Sequence, residues 1–155
     1  MTQPQRPAKA SIVSGYFNPL HQGHLDLFEA AQARSGYLIV VVNNDRQQLI
    51  KKGRVIQAED IRARIVRALR IVDRVYIAVE DGPGIDGTFD IIRADYPDTE
   101  LEFCNGGDRR DINTLPEDEV AAGARNDIAM LYGIGGTDKA DSSTRIVADL
   151  ETPAR

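Results

Sequence analysis

The chain has 155 residues, a formal net charge of −5, 42% apolar residues and 28% charged residues, which is the make-up of one ordinary globular domain with enough apolar side chain for a core. The acidic balance speaks against general nucleic-acid binding, no apolar run approaches the ~18 residues of a membrane span, and residues 1–9 lack the apolar core of a signal peptide. The single cysteine, Cys104, excludes an internal disulfide and leaves a zinc site without a CxxC partner, so a cytoplasmic protein with no protein-held metal is expected.

Residues 1–9 read as a loose tail and Ala10 to Ser14 as a short buried strand. Leu25, Leu27, Phe28 and Ala31 then repeat with helical spacing. The stretch between, Gly15-Tyr16-Phe17-Asn18-Pro19-Leu20-His21-Gln22-Gly23-His24, is therefore a strand-to-helix turn, and it holds both histidines of the chain. With Gly at its average usage of about 7%, two histidines placed at random give His-x-Gly-His roughly one time in a thousand, so coincidence is a poor explanation. Gly15 and Gly23 let backbone approach a ligand, while the free N–H groups and positive dipole end of the new helix favour an anion. His21 and His24, at i and i+3, can point at one phosphate. The plainer alternative is two surface histidines flanking a turn glycine.

Tyr37 to Asn43 is a continuous aromatic and β-branched run of the kind buried on both faces of a parallel sheet. Residues 44–57 break the pattern and read as a loop carrying Lys51, Lys52 and Arg54 around Gly53. These cations are either phosphate ligands or solvated charge. Ala58 to Ile71 is expected to be a helix with Ile61, Ile65, Ala68 and Leu69 facing inward and its arginines, Arg62 among them, elsewhere. Val72 to Val79 reads as the third strand, Asp81 to Gly84 as a loop, Thr88 to Ala94 as a short helix, and Leu101 to Cys104 as the fourth strand. Glu117 to Leu131 should be helical, Tyr132 to Ile134 a brief strand, and Ser142 to Leu150 a last helix capped by Asp141 or Ser142 before a tail at 151–155.

Strands alternating with helices imply a single Rossmann-like, doubly wound α/β domain over residues 10–150, with a parallel sheet of about five strands and helices on both faces. Ligands in such sheets bind beyond the carboxyl ends of the strands. That rule sends the histidine turn, the lysine loop and Gly106-Gly107-Asp108 to one crevice.

The turn from Gly15 to His24 resembles the GxFDxxHxGH signature of the nucleotidylyltransferase superfamily, also called cytidylyltransferase-like. The likeness continues in order through Val42-Asn43-Asn44-Asp45, the lysine loop, Arg62, Gly106-Gly107-Asp108, and Lys139-Ala140-Asp141-Ser142-Ser143-Thr144-Arg145-Ile146. That last run is similar to the ISSTxxR or GISTTxI element at a helix start. The resemblance implies transfer of a nucleoside monophosphate from a triphosphate to a phosphorylated small molecule, such as a sugar or polyol phosphate, with release of pyrophosphate. It implies His21, His24, Lys51 and Arg62 as the catalytic set. It implies Gly15, Tyr16, Phe17, Asn18, Gly23, Gly106, Gly107, Asp108, Lys139, Ser142, Ser143 and Thr144 as nucleotide and phosphate contacts. It also implies magnesium (Mg2+) carried on the nucleotide phosphates, and a homodimer as a form common in such enzymes. The chemistry agrees: in-line attack on the α-phosphate builds negative charge, which calls for positioned cations and donors rather than a protein nucleophile.

Departures from the pattern bear on the substrate. The usual Asp after Phe is Asn18, and the arginine of the cytidylyltransferase element RTxGISTT has no counterpart in Thr137 to Thr144. Gly106-Gly107-Asp108 looks more like the heptose-phosphate adenylyltransferase branch, which uses ATP, so ATP is slightly favoured over CTP. The alternatives are a CTP-dependent glycerol-3-phosphate-type cytidylyltransferase and a non-catalytic nucleotide-binding protein of the same fold. Class I aminoacyl-tRNA synthetases share a HIGH turn, but no anticodon-binding domain fits in 155 residues.

Overall fold

A computed structural model describes residues 6–106 and 117–135. Its elements are β1 (Lys9–Gly15), α1 (Gln22–Ser35), β2 (Leu38–Val42), α2 (Asp45–Lys52), α3 (Glu59–Arg67), β3 (Arg74–Ile77), α4 (Asp86–Asp95), β4 (Glu100–Cys104), α5 (Glu117–Arg125) and β5 (Ile128–Leu131). All strand pairs are parallel, in the order β3-β2-β1-β4-β5. The chain steps outward from β1 to β2 and β3, then crosses back to β4 on the other side of β1. Strand order thus reverses between β1 and β4, and the crevice of a doubly wound sheet opens there, beyond Gly15 and Cys104.

β2 shows why the sheet is covered on both faces. Its Leu-Ile-Val-Val-Val sequence is buried throughout, and successive side chains point to opposite sides. Leu38, Val40 and Val42 pack with Val13, Phe28 and Ala31 of β1 and α1 and with Ala63 and Val66 of α3. Ile39 and Val41 pack with Phe89 and Ile92 of α4, Phe103 of β4 and Ala122 of α5. On the α1 side the buried Glu102 of β4 is the one charged group of that strand's core segment. It accepts from the Ser11 hydroxyl at 2.8 Å and from both arms of Arg34 at 3.0 and 3.1 Å, which ties the end of α1 to the sheet.

Four expectations are corrected. Residues 45–52, read as loop, form α2, capped by Asn44 and Gln47 at its start and by Gly53 in the left-handed region (φ 74°) at its end. The inward face of α3 is Arg62, Ala63 and Val66 rather than Ile61 and Ile65, which are 50% and 40% exposed. The helix after residue 117 stops at Arg125, because Asp127 turns the chain with φ 53°, and the fifth strand is Ile128–Leu131, read as the end of that helix, rather than Tyr132 to Ile134, which follow it outside any strand. Residues 6–9 are not loose: the Ala8 carbonyl accepts from the Glu100 N–H at 2.8 Å and the Arg6 guanidinium lies over the Tyr96 ring. The last helix expected at 142–150 lies outside the described residues. Among those described, no helix is long and apolar enough to cross a membrane.

Candidate functional site

The β1–α1 turn is built around its two imidazoles. His21 is the N-cap of α1, the place that Ser, Thr, Asp or Asn usually takes. Its Nδ1 accepts from the Gly23 N–H at 3.1 Å, and the Nδ1 of His24 accepts from the His21 N–H at 3.2 Å, a reciprocal capping box made of two histidines. The rings stack with centroids 3.7 Å apart. An Nδ1 that accepts from an N–H carries no proton, so in the neutral imidazole the proton sits on Nε2. Each neutral ring therefore carries its N–H on Nε2, and the Nε2 of His21 is buried. The helix start was expected to offer free backbone N–H groups to an anion, but the Gly23 N–H is used by His21.

Phe17 holds His24 from behind. Its backbone is in the left-handed region (φ 53°), uncommon for a bulky residue. The ring is only 2% exposed and meets His24 edge-on at 4.8 Å and Phe28 at 5.4 Å. A Cβ on Gly15 would lie 2.8 Å from that ring. Gly15 thus makes room for Phe17, and the buried Phe17 ring backs His24.

α2 carries the lysines to the same turn. The Lys51 ammonium sits over the Tyr16 ring, 4.8 Å from its centre, and the Tyr16 hydroxyl donates to the Gln47 carbonyl at 3.3 Å. Lys52 points its ammonium at Asn18 Oδ1, 3.4 Å away. Burial lowers its pKa, helped by the positive charges of Lys51 and Arg62. Asn18 is itself buried, its amide engaged with Gln48 and Lys52.

Arg62 does not reach the crevice surface. Its side chain is fully buried and donates to the carbonyls of Gln57 (2.7 Å), Tyr16 (2.8 Å) and Asn43 (2.6 Å) and to the Asp45 carboxylate (2.9 Å). Guanidinium supplies a rigid fork of donors, and here the fork fastens the ends of β1 and β2 to the start of α2. Gln47 does the same for the loop after β3, donating to the carbonyls of Gly82 and Gly84, while Asn44 donates to those of Ala78 and Glu80. Sequence reasoning passed over Gln47 and Gln48. The signal was present as Asn44-x-x-Gln47, a capping-box spacing, with Gly53 just past the last lysine.

At the other lip of the crevice, Asn105 joins the ends of β4 and β5. Its N–H and side-chain amide both donate to the Leu131 carbonyl, and its own carbonyl accepts from the Ile134 N–H at 2.9 Å. Gly135 (φ 84°) brings the loop after β5 against α1, where an added Cβ would lie 3.3 Å from Leu27 Cα. Gly106 is half-buried beside Asn105. Gly107, Asp108, Lys139, Ser142, Ser143 and Thr144 lie outside the described residues. Among the described residues no group of three or more His, Cys, Asp or Glu side chains could hold a metal ion.

With this turn in view, the profile of the Cytidylyltransferase-like family matches residues 12–109, from β1 to just past β4. The chain belongs to that family. Among its cytidylyltransferase-like relatives, the bifunctional protein HldE of Gluconobacter oxydans is 32% identical over 94% of this chain, which spans only 28% of that protein. The FAD synthase of Thermococcus onnurineus is 31% identical, with 98% of each chain covered. A lipopolysaccharide core biosynthesis protein from Thermoplasma volcanium shares the fold at a TM-score of 0.61, with 20% identity over 86% of this chain and 98% of that one.

Proposed function

We propose that the protein transfers a nucleoside monophosphate from a triphosphate, ATP ahead of CTP, to a phosphorylated small molecule. A phosphate oxygen of the acceptor attacks the α-phosphorus in line, the bond to the bridging oxygen breaks, and pyrophosphate leaves. The observation that carries this reading is the stacked pair of histidines at the start of α1, beside the switch-point crevice, whose Nδ1 atoms are both held by backbone N–H groups so that each neutral ring keeps its N–H on Nε2. Donors fixed before the reaction are what charge building up on a transferring phosphate requires. Lys51 and Lys52 add positive charge from α2, and Arg62 serves by holding that helix against the turn.

Magnesium prefers oxygen ligands and keeps several waters, whereas this turn offers imidazole, amide and ammonium groups. The residues present thus suit a cation that arrives on the triphosphate, where it neutralises phosphate charge.

ATP is favoured because the FAD named in a full-length relative contains an adenosine monophosphate half, and because Gly106-Gly107-Asp108 resembles the adenylyltransferase branch. Flavin mononucleotide therefore joins sugar and polyol phosphates as an acceptor class. The test is pyrophosphate release from ATP and CTP at equal magnesium against glycerol 3-phosphate, heptose phosphates and flavin mononucleotide, with thermal stabilisation by each triphosphate alongside. Release with ATP and one acceptor is expected. Stabilisation by CTP with none by ATP would overturn the donor, and binding with no release for any pair would leave a nucleotide-binding protein only.

A further inference from the structure

Gln48 lies in the middle of α2, beside Leu49 and Ile50, which are exposed, yet is itself fully buried. Each of its polar atoms is engaged. Oε1 accepts from Asn18 Nδ2 at 2.6 Å and from the Ile56 N–H at 2.7 Å, while Nε2 donates to Asp45 Oδ1 at 3.2 Å and to the Gln57 carbonyl at 3.1 Å. This pattern admits one orientation of the amide, since a flip would set its NH2 against the Ile56 N–H. Asn18 must then turn its own NH2 toward Gln48. That leaves Asn18 Oδ1 as the end facing the Lys52 ammonium, 3.4 Å away. Gln48 and Lys52 are four residues apart, on one face of α2, whereas Lys51 is directed to the Tyr16 ring.

We propose that Gln48 is a positioning residue: through Asn18 it holds the Lys52 ammonium over the β1–α1 turn as a cation that is oriented without being neutralised, ready for the incoming triphosphate. This rests on the transfer reaction proposed above. An amide oxygen at position 18 steers the ammonium and leaves its charge available. A carboxylate there would cancel part of that charge and would also set an acceptor against Gln48 Oε1. If Gln48 were absent, Asn18 could rotate half a turn and point its NH2 hydrogens at Lys52, which repels it. The ammonium already sits partly desolvated beside two other cations, a position in which an arriving polyanion is its best partner.

A double-mutant cycle separates this role from simple packing. Pyrophosphate release with MgATP and MgCTP is measured for the parent, Gln48→Met, Lys52→Met and the double variant, and the Lys52 side chain is titrated by NMR in the first two. Gln48→Met should raise the triphosphate KM about tenfold with kcat changed less than threefold, and should do almost nothing in the Lys52→Met background. The Lys52 pKa should fall further in Gln48→Met, because the ammonium loses its acceptor while its burial and the neighbouring positive charges stay. Equal KM effects in both lysine backgrounds would show that Gln48 only packs the helix and would overturn the proposal. If Gln48→Met does not fold, Asn18→Ala cuts the same link while keeping the bonds of Gln48 to Ile56, Asp45 and Gln57, and it carries the same expectations. Should the parent release no pyrophosphate from any triphosphate, the transfer reading fails, and the relay itself is still judged by whether the Lys52 titration moves.

Discussion

Replacing Arg62 by methionine keeps most of the side chain's length and removes all of its donors. Four acceptors lose their partner: the carbonyls of Gln57, Tyr16 and Asn43 and the carboxylate of Asp45. Water can reach three of these, because the Gln57 and Tyr16 bonds are only partly buried and the Asp45 side chain is 29% exposed. The Asn43 carbonyl stays buried, at a cost of ~1–3 kcal/mol for an unsatisfied group. Adding the three rehydrated bonds brings the loss to about 3 kcal/mol, the lower end of what removing one partner of a buried pair costs. With a urea slope of about 2 kcal/mol per molar, the unfolding midpoint should fall by about 1.5 M at unchanged slope. Arg62→Lys should recover less than half, since one ammonium cannot span the fork. Urea titrations followed by circular dichroism measure both. A midpoint within about 0.3 M of the parent, together with a large rise in triphosphate KM, would mean that the guanidinium reaches the ligand and that its buried placement here is wrong.

His24→Ala removes one preorganised donor and should lower kcat by a few hundred-fold with triphosphate affinity nearly kept; near-parental turnover would sink the role given to the histidine pair. Gly15→Ala sets a methyl group 2.8 Å from the Phe17 ring; it should cost about 1–3 kcal/mol of stability and reduce turnover by displacing the ring that backs His24, whereas a parental unfolding midpoint would contradict the contact. The pKa of Glu102 is lowered below the ordinary carboxylate value of 4.5: burial alone would raise it, and the bonds from Arg34 and Ser11 with the nearby positive charges outweigh that. A lowered folded-state pKa contributes stability above pH 4.5 that is lost as pH falls through the lower value. The loss of stability with acid below pH 4.5 should therefore be shallower in Glu102→Gln, and identical slopes in urea midpoints at stepped pH would refute it.

The sheet was legible wherever hydrophobic runs are long and uninterrupted. β2 stands within its expected span, and the two-sided burial of Leu38 to Val42 follows from the absence of any polar residue among them. α2 was not legible by periodicity, because Leu49 and Ile50 face solvent and the residues that it buries are Gln47 and Gln48. A helix whose inward face is amide looks like a loop to any reading that seeks an apolar stripe. The same polar interior misled the reading of α3, where Arg62 takes a core position that Ile61 would claim by hydrophobicity. For the site, the spacing of His21 and His24 identified the turn, and the type of residue at 51 and 52 identified the cations. Which lysine meets the turn depended on helix phase, and the supporting tasks of Gly15 and Phe17 depended on a left-handed backbone at 17. Neither is written in composition or spacing.

Because the same two Nδ1 atoms close the first turn of α1 and fix the ring tautomers, fraying of that helix end and loss of the proposed phosphate-binding pair are one event. An anion drawn to the Nε2–H groups makes each Nδ1 a better acceptor, as hydrogen bonds in a chain polarise one another. Occupancy of the crevice is thereby reported in the backbone itself. The amide hydrogens of His21 and Gly23, two positions that need not touch any ligand, should exchange with solvent markedly more slowly once a triphosphate is bound.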